Sequence, residues 1–326
     1  MARALVTGGT GFVGSHVARA LAENGHHVRV LHRQTSKLKA LDGVPFESVT
    51  GGLTDLDALR HACEGVDWVF HIAAIADYWR ADHRAMYHTN VEGTRYILQA
   101  ARETGVRRVV FTSSAAAVGL RDDKLADENQ PFNMSPGSFP YGHSKWLAEQ
   151  VVKEAVEAGQ DVVTVNPVAV MGPGDLNLIS GDFVVQIKRY GLFVPITSGG
   201  IAVTDVRDVA RWHLAAVQEG ITGERYLLGT ANYSYRDWFT MIAETVGAPR
   251  PRFALPDVVT VAAADLIEHA RKLNIPTTVD SAQARLGVKR VYFDYRKAWA
   301  AFGPPQIDMA RSLRDTYGWY VQHGYM

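Results

Sequence analysis

Glycines at positions 8, 11 and 14 limit what this chain can become more than any other feature of it. They follow a short apolar run, Arg3 to Thr7, and lead into Val13, Val17, Ala20 and Leu21 at helical spacing; Gly25 is a natural helix stop, and Val28 to Leu31 reads as a second strand. Strand, tight turn, helix and strand within about 30 residues is the size of one βαβ crossover. A turn whose backbone must approach a pyrophosphate needs residues without a Cβ, and the helix behind it points its free amides and positive dipole end at the anion. Thr7, Gly8, Gly11, Phe12, Val13 and Gly14 are therefore expected to cradle the phosphates of a dinucleotide. An ordinary glycine-rich loop is the alternative, and the position between a strand and a helix argues against it.

The alternation continues along the chain. Strands are expected at 3–7, 28–31, 46–49, 68–72, 109–112, 162–165 and 225–228, and helices at 12–24, 55–63, 84–104, 141–158 and 206–218. Strands alternating with helices imply a sheet covered on both faces, so the fold class is α/β: a doubly wound parallel sheet of Rossmann type with a smaller C-terminal substrate-binding domain. At 326 residues the chain exceeds the size at which one core is usual. After Pro167, glycines and prolines punctuate shorter elements. The expected division is a dinucleotide-binding domain of residues 1–165 and 201–230 and a smaller lid of residues 166–200 and 231–326. The lid would supply substrate specificity at the carboxyl edge of the sheet.

Charge and cysteine content exclude several classes. Lys and Arg together number 34, as do Asp and Glu, so no net field draws the chain to nucleic acid or to an anionic membrane. Cys63 is the only cysteine, which rules out an internal disulfide framework and fits a reducing, cytoplasmic setting. Residues 1–6 enter an apolar run at once and meet glycines from Gly8, which fits neither a signal peptide nor a membrane span. The twelve histidines form no metal-binding motif, and no metal is expected.

The end of the second strand chooses between cofactors: an acid there binds the adenosine ribose hydroxyls, an arginine accommodates a 2′-phosphate. This strand ends Leu31-His32-Arg33-Gln34, and the first acid beyond it is Asp42. NADP(H) is favoured, with NAD(H) left open; Arg33, Lys37 and Lys39 would otherwise merely solvate a surface loop. Further on, Tyr141 and Lys145 lie four apart and share a helix face. An ammonium beside a phenol lowers its pKa from about 10, which suits a general acid or base. Val109 to Ser114 delivers two hydroxyls, Ser113 and Ser114, to the carboxyl edge, where a serine can hold a carbonyl oxygen; strand-end capping is the plainer use for the pair.

With these stretches together, the chain resembles the extended short-chain dehydrogenase/reductase family over essentially its full length. The matching pieces are Thr7 to Gly14, His71 to Ala74, Asn90 to Thr94, Thr112 to Ser114 with Gly119, Pro140 to Lys145, and Asn166 to Gly174. The resemblance implies that Ser114, five before Gly119, is the catalytic serine and Tyr141 the proton donor or acceptor. It implies that Lys145 binds the nicotinamide ribose while lowering the pKa of Tyr141. Ala73 and Ala74 would pass beneath the cofactor, Asn90 would fix the central helix, Pro167 and Val170 would line the nicotinamide pocket, and Leu53 and Thr112 complete the implied cofactor contacts. Where many relatives carry Gly-Asp-Leu after the third strand, this chain has Gly51-Gly52-Leu53, so the adenine contact falls to backbone or to another residue. Arg29 to Arg33, Phe111 to Ala115 and Tyr317 to Tyr325 are nearest in wording to dihydroflavonol reductase-like and hopanoid-associated sugar epimerase-like members.

The expected reaction is NADP(H)-dependent reduction of a ketone or aldehyde of a small molecule; a nucleotide-sugar epimerase or dehydratase with tightly held NAD is the alternative, and a non-catalytic scaffold the third. Tyr78, Trp79, His143, Met171, Asp175 and Phe183 are candidate substrate contacts. His71, in an apolar strand, reads as a satisfied core histidine, and Asp205 and Asp208 as helix caps. Val91, Leu98, Leu147, Val151 and Val152 give two helices apolar faces that relatives commonly pair in a homodimer; burial inside one chain is the alternative.

Overall fold

Short runs of Val, Leu, Phe and Ala are buried on both faces of strands β1 (Arg3–Thr7), β2 (His27–His32), β4 (Trp68–His71), β5 (Arg108–Thr112), β6 (Val162–Pro167) and β9 (Arg225–Leu228), as a sheet covered on both sides requires. The computed structural model describes residues 1–76, 82–122, 124–272 and 281–326, the side chains of 270–272 and 283 excepted. With β3 (Glu47–Thr50) these strands form a seven-stranded parallel sheet in the order β3-β2-β1-β4-β5-β6-β9. Every strand expected from the sequence is present, with ends shifted by at most two residues.

Helices α1 (Phe12–Glu23), α2 (Leu56–Cys63), α3 (His83–Tyr87), α4 (Gly93–Glu103), α5 (Pro140–Glu157), α6 (Asp182–Tyr190) and α7 (Val206–Glu219) lie in chain order. Val17 and Leu21 of α1 and Val209 and Trp212 of α7 fill one side of the sheet, whereas Leu59, Ile97, Leu98, Val151 and Val152 of α2, α4 and α5 fill the other. The expected helix 84–104 is interrupted by a π-turn at His88–Glu92, which takes an extra residue per turn and is the kind of irregularity that collects at functional sites.

Leu98, Val151 and Val152, named above for pairing with a second copy, are at most 5% exposed and belong to the core of their own chain. The homodimer argument loses them, because α4 and α5 turn those faces toward the sheet. Asp205 does cap α7 through the Arg207 amide, but Asp208 instead accepts the amides of Gln306 and Ile307 and so pins a distant segment to that helix.

A second, three-stranded sheet has the order β10-β8-β7, from β7 (Ala169–Met171), β8 (Gly200–Asp205) and β10 (Ala231–Ser234). β8 pairs with β7 and β10, and its Gly200 also bridges to Arg290. Around it α8 (Tyr235–Val246) and α6 bury a third apolar cluster that includes Trp238, Ile242 and Ile187. The later helices α9 (Asp257–Lys272), α10 (Ser281–Leu286), α11 (Arg296–Phe302) and α12 (Met309–Gln322) complete the chain.

Candidate active site

The strand order reverses direction between β1 and β4, and a crevice at the carboxyl ends of such a pair is where ligands of open α/β sheets bind. β1 leads there into Gly8, at φ +75°, and a Cβ on Gly8 would stand 2.7 Å from the Ala73 nitrogen. A Cβ on Gly14 would stand 2.1 Å from the Gly8 carbonyl oxygen. Gly11 is the N-cap of α1 and offers no capping side chain, so the first amides of the helix, Phe12 and Val13, have no intrahelical acceptor. An uncapped helix end over a cradle that any Cβ would fill fits the diphosphate of a dinucleotide. Gly14→Ala is expected to destabilise the protein by about 1–3 kcal/mol and to weaken nucleotide binding, because the backbone at Gly8 must give way; urea unfolding and a nucleotide titration check both effects.

The Thr7 hydroxyl accepts the amides of Ile72 and Ala73 at 3.2 and 3.3 Å, which sets Ala73 and Ala74 beside the turn. Thr94 spends its proton on the Asn90 carbonyl, so His71 Nε2 donates to Thr94 Oγ1 and Nδ1 accepts from Thr7 Oγ1 at 2.8 Å. His71 is thus a neutral histidine with both nitrogens occupied, and burial holds its pKa down at about 3. Asn90, in the π-turn, clasps the Ile75 backbone with both amide atoms and donates to Ser144 Oγ, joining the end of β4 to α5.

Ser114, two residues past β5, hydrogen-bonds the Tyr141 hydroxyl; Ser113 turns away and donates to Glu149 at 2.5 Å. Pro140 at the first position of α5 fixes the entry of the helix that carries Tyr141 and Lys145. Lys145 is 2% exposed, donates to the Thr112 carbonyl oxygen at 2.8 Å and lies over the Phe111 ring at 4.9 Å. Burial lowers its pKa to about 8, with Glu149 acting against that fall. Burial raises the Tyr141 phenol above its ordinary value, the Ser114 hydrogen bond acts against that rise, and the Lys145 ammonium donates to Thr112. The Thr112 hydroxyl donates to His213 Nε2 on the opposite face of the sheet, and its carbonyl serves Lys145.

Arg33 is exposed at the end of β2 and has no ion pair among the described residues. Leu53 packs against Gly93; Pro167 ends β6, and Val170 in β7 is 9% exposed. Among the candidate substrate contacts, Tyr78 and Trp79 lie outside the described residues. Met171 is 1% exposed within the third apolar cluster, and Asp175, equally buried, accepts the amides of Ser180 and Gly181 at Oδ2 and leaves Oδ1 without a hydrogen-bond partner among the described residues. Phe183 packs on Phe239, and His143 stacks on Trp146 and bonds the Tyr87 hydroxyl at 2.9 Å. The sequence reasoning missed Glu149 and Arg225, which meet beneath Ser113 with Asn166, quoted above only as the start of a motif; the spacing of Glu149, four beyond Lys145, was its signal. Among the described residues no cluster of three metal-ligating side chains occurs, and no helix is long and apolar enough to cross a membrane.

Residues 4–229 match the NAD dependent epimerase/dehydratase family. The chain is 35% identical over 328 residues to a Synechocystis sp. protein provisionally named dihydroflavonol 4-reductase, covering 98% of this chain and 95% of that one. It is 39% identical to sterol demethylase protein B of Methylococcus capsulatus over 77% of each chain. Among solved structures it superposes on gox2253 with a TM-score of 0.88, at 35% identity and over the whole of both chains.

Proposed function

This chain belongs to the NAD dependent epimerase/dehydratase family, and from that premise we propose that it is an NADP(H)-dependent reductase of a ketone or aldehyde group in a small molecule. The observation that carries the proposal is the Ser114–Tyr141 hydrogen bond beside the buried Lys145, all at the carboxyl edge that the glycine turn opens onto. The reductase name of the Synechocystis relative supports the direction of the reaction.

The nicotinamide, when bound, supplies the hydride. Everything else falls to the chain. Tyr141, its pKa raised by burial, is a neutral phenol across the physiological range and can give its proton to a carbonyl oxygen. Ser114 holds that oxygen within reach of the phenol. Lys145, with a pKa of about 8, is mostly an ammonium at neutral pH and is assigned to the nicotinamide ribose. The smaller body, residues 166–200 and 231–326, is assigned the choice of substrate, and a fold of this kind takes many substrates by varying that region.

Arg33, exposed and without an acid at hand, is assigned to the 2′-phosphate. Arg33→Ala is then expected to weaken NADPH binding about tenfold to a hundredfold, the worth of a hydrogen-bonded charge, and to leave NADH binding unchanged. Equal losses for both nucleotides would remove Arg33 from the phosphate site. The family name itself favours a second reading, an epimerase or dehydratase that holds NAD throughout and performs no net reduction. Incubation with NADPH and a panel of ketones and aldehydes tells the two apart: consumption of NADPH with alcohol formation supports the reductase, and no consumption with any carbonyl compound sets it aside.

A further inference from the structure

The carboxylate of Glu149 is the meeting point of three strands. Its Oε1 accepts from Ser113 Oγ of the β5 end at 2.5 Å and from Asn166 Nδ2 of β6 at 2.6 Å, and its Oε2 pairs with Arg225 of β9 at 2.9 Å. Asn166 donates from the same amide nitrogen to the Ser114 carbonyl at 2.9 Å, so the carboxylate also steadies the backbone from which Ser114 reaches Tyr141. Arg225 is anchored in turn on the backbone oxygens of Glu128 and Gln130. Tyr141, Lys145 and Glu149 follow one another at four-residue steps along one face of α5.

A clamp of this kind could be built from neutral amides. What a neutral group could not supply is charge next to Lys145. The Lys145 ammonium is buried, its hydrogen-bond acceptor is an uncharged carbonyl oxygen, and it rests on an aromatic ring. The titratable groups around it are Tyr141 and Glu149 on its own helix, His71 on β4, which is neutral, and Arg225 on β9, which acts through its pairing with Glu149.

We infer that Glu149 is a positioning residue that keeps Lys145 protonated for the cofactor ribose and holds Ser113 and, through Asn166, Ser114 in place, with Arg225 setting how much of its charge reaches the lysine. The inference rests on the proposed cofactor site. In Glu149→Gln the shape of the side chain is kept and its charge removed. In Arg225→Gln the counter-ion of Glu149 is removed.

The experiment is a titration of each protein with NADPH, followed by nucleotide fluorescence from pH 6.5 to 9.5, beside a thermal unfolding curve. Affinity falls as pH rises through the titration of Lys145. The midpoint of that fall is expected to move down by about one unit in Glu149→Gln, the effect of removing an opposite charge at close range, and to move up in Arg225→Gln. A purely structural role lowers stability in both variants and shifts neither midpoint, or shifts both in one direction; either result overturns the inference. If Glu149→Gln does not fold, an unmoved or lowered midpoint in Arg225→Gln overturns it alone. If the unaltered protein binds neither NADPH nor NADH, the cofactor site itself fails, and with it the role given to Glu149.

Discussion

Tyr141→Phe is expected to lower the turnover of carbonyl reduction by about 10²–10⁴-fold, the usual contribution of a positioned general acid, while the affinity for NADPH stays the same. The substitution removes one oxygen from a ring that is otherwise held by the fold. Tyr141 sits in the first turn of α5, with Phe139 packed edge-on to it, and the buried Ser144 one turn on bonds the Tyr141 carbonyl rather than its hydroxyl. The phenol is raised in pKa and stays protonated at neutral pH, so it enters the reaction as a donor without a prior proton uptake. Ser114→Ala is the companion variant: it keeps the phenol and removes its hydrogen-bond partner, together with the cap that Ser114 Oγ gives the Ala116 amide. Full turnover in Tyr141→Phe, measured with a carbonyl compound that the wild type reduces, contradicts the assignment of the acid.

The second large effect is on stability in acid. His71 and His213 are both buried and neutral, with pKa values lowered by burial to about 3 and about 4. His213 donates from Nδ1 to the Val209 carbonyl and accepts the Thr112 hydroxyl at Nε2, so its ring has no place for a second proton. In the unfolded chain both titrate near the ordinary 6.5. A group whose folded pKa is depressed contributes stability that is fully present above its unfolded pKa and is lost as the pH falls toward the folded one. Since both folded values lie below 5, the loss between pH 7 and pH 5 is set by the unfolded value: about 2 kcal/mol for each histidine and about 4 kcal/mol together. Carboxylates held down by arginines, Glu47 by Arg29 and Asp294 by Arg296, give up their share only as the pH falls below their ordinary values of 4.5 and 3.8, and so contribute little in this window. Urea unfolding at the two pH values measures the loss, and His213→Gln is expected to remove about 2 kcal/mol of it, while His16, whose pKa burial also lowers, keeps its own share of the pH dependence. A stability that is flat between pH 7 and pH 5 contradicts the neutral, fully bonded state of these rings.

How much of this was legible in the sequence follows from where periodicity carries information. Strands β1 to β6 and β9 are short apolar runs bounded by glycine, charge or turn residues, and the amphipathic helices between them bury one face each, so their pattern has one reading. The small sheet was not foreseen as a sheet, because β7 and β10 are three and four residues long and too short to show a period. Leu98, Val151 and Val152 misled for a related reason: an apolar helix face looks the same in sequence whether it meets its own sheet or a second copy. In the candidate site, Gly8, Gly14, Tyr141 and Lys145 drew attention through their spacing, and Ser114 through the family resemblance. Asp175 and Met171 were placed in the pocket from chain position alone, and only coordinates show that a loop aspartate serves backbone amides. Glu149 was missed because its partners come from β5, β6 and β9, far apart in sequence and adjacent only after the sheet forms.

The central claim is that the protein takes up NADP(H) as a dissociable cofactor for net reduction, and the purified protein tests it most directly. Its absorbance and the nucleotide released on denaturation are measured first, and equilibrium titrations with NADPH and NADH follow. The expected result is protein without retained nucleotide that binds NADPH in preference to NADH. Retained NAD, or tighter binding of NADH, contradicts the claim and gives first place to an epimerase or dehydratase that never lets its cofactor go.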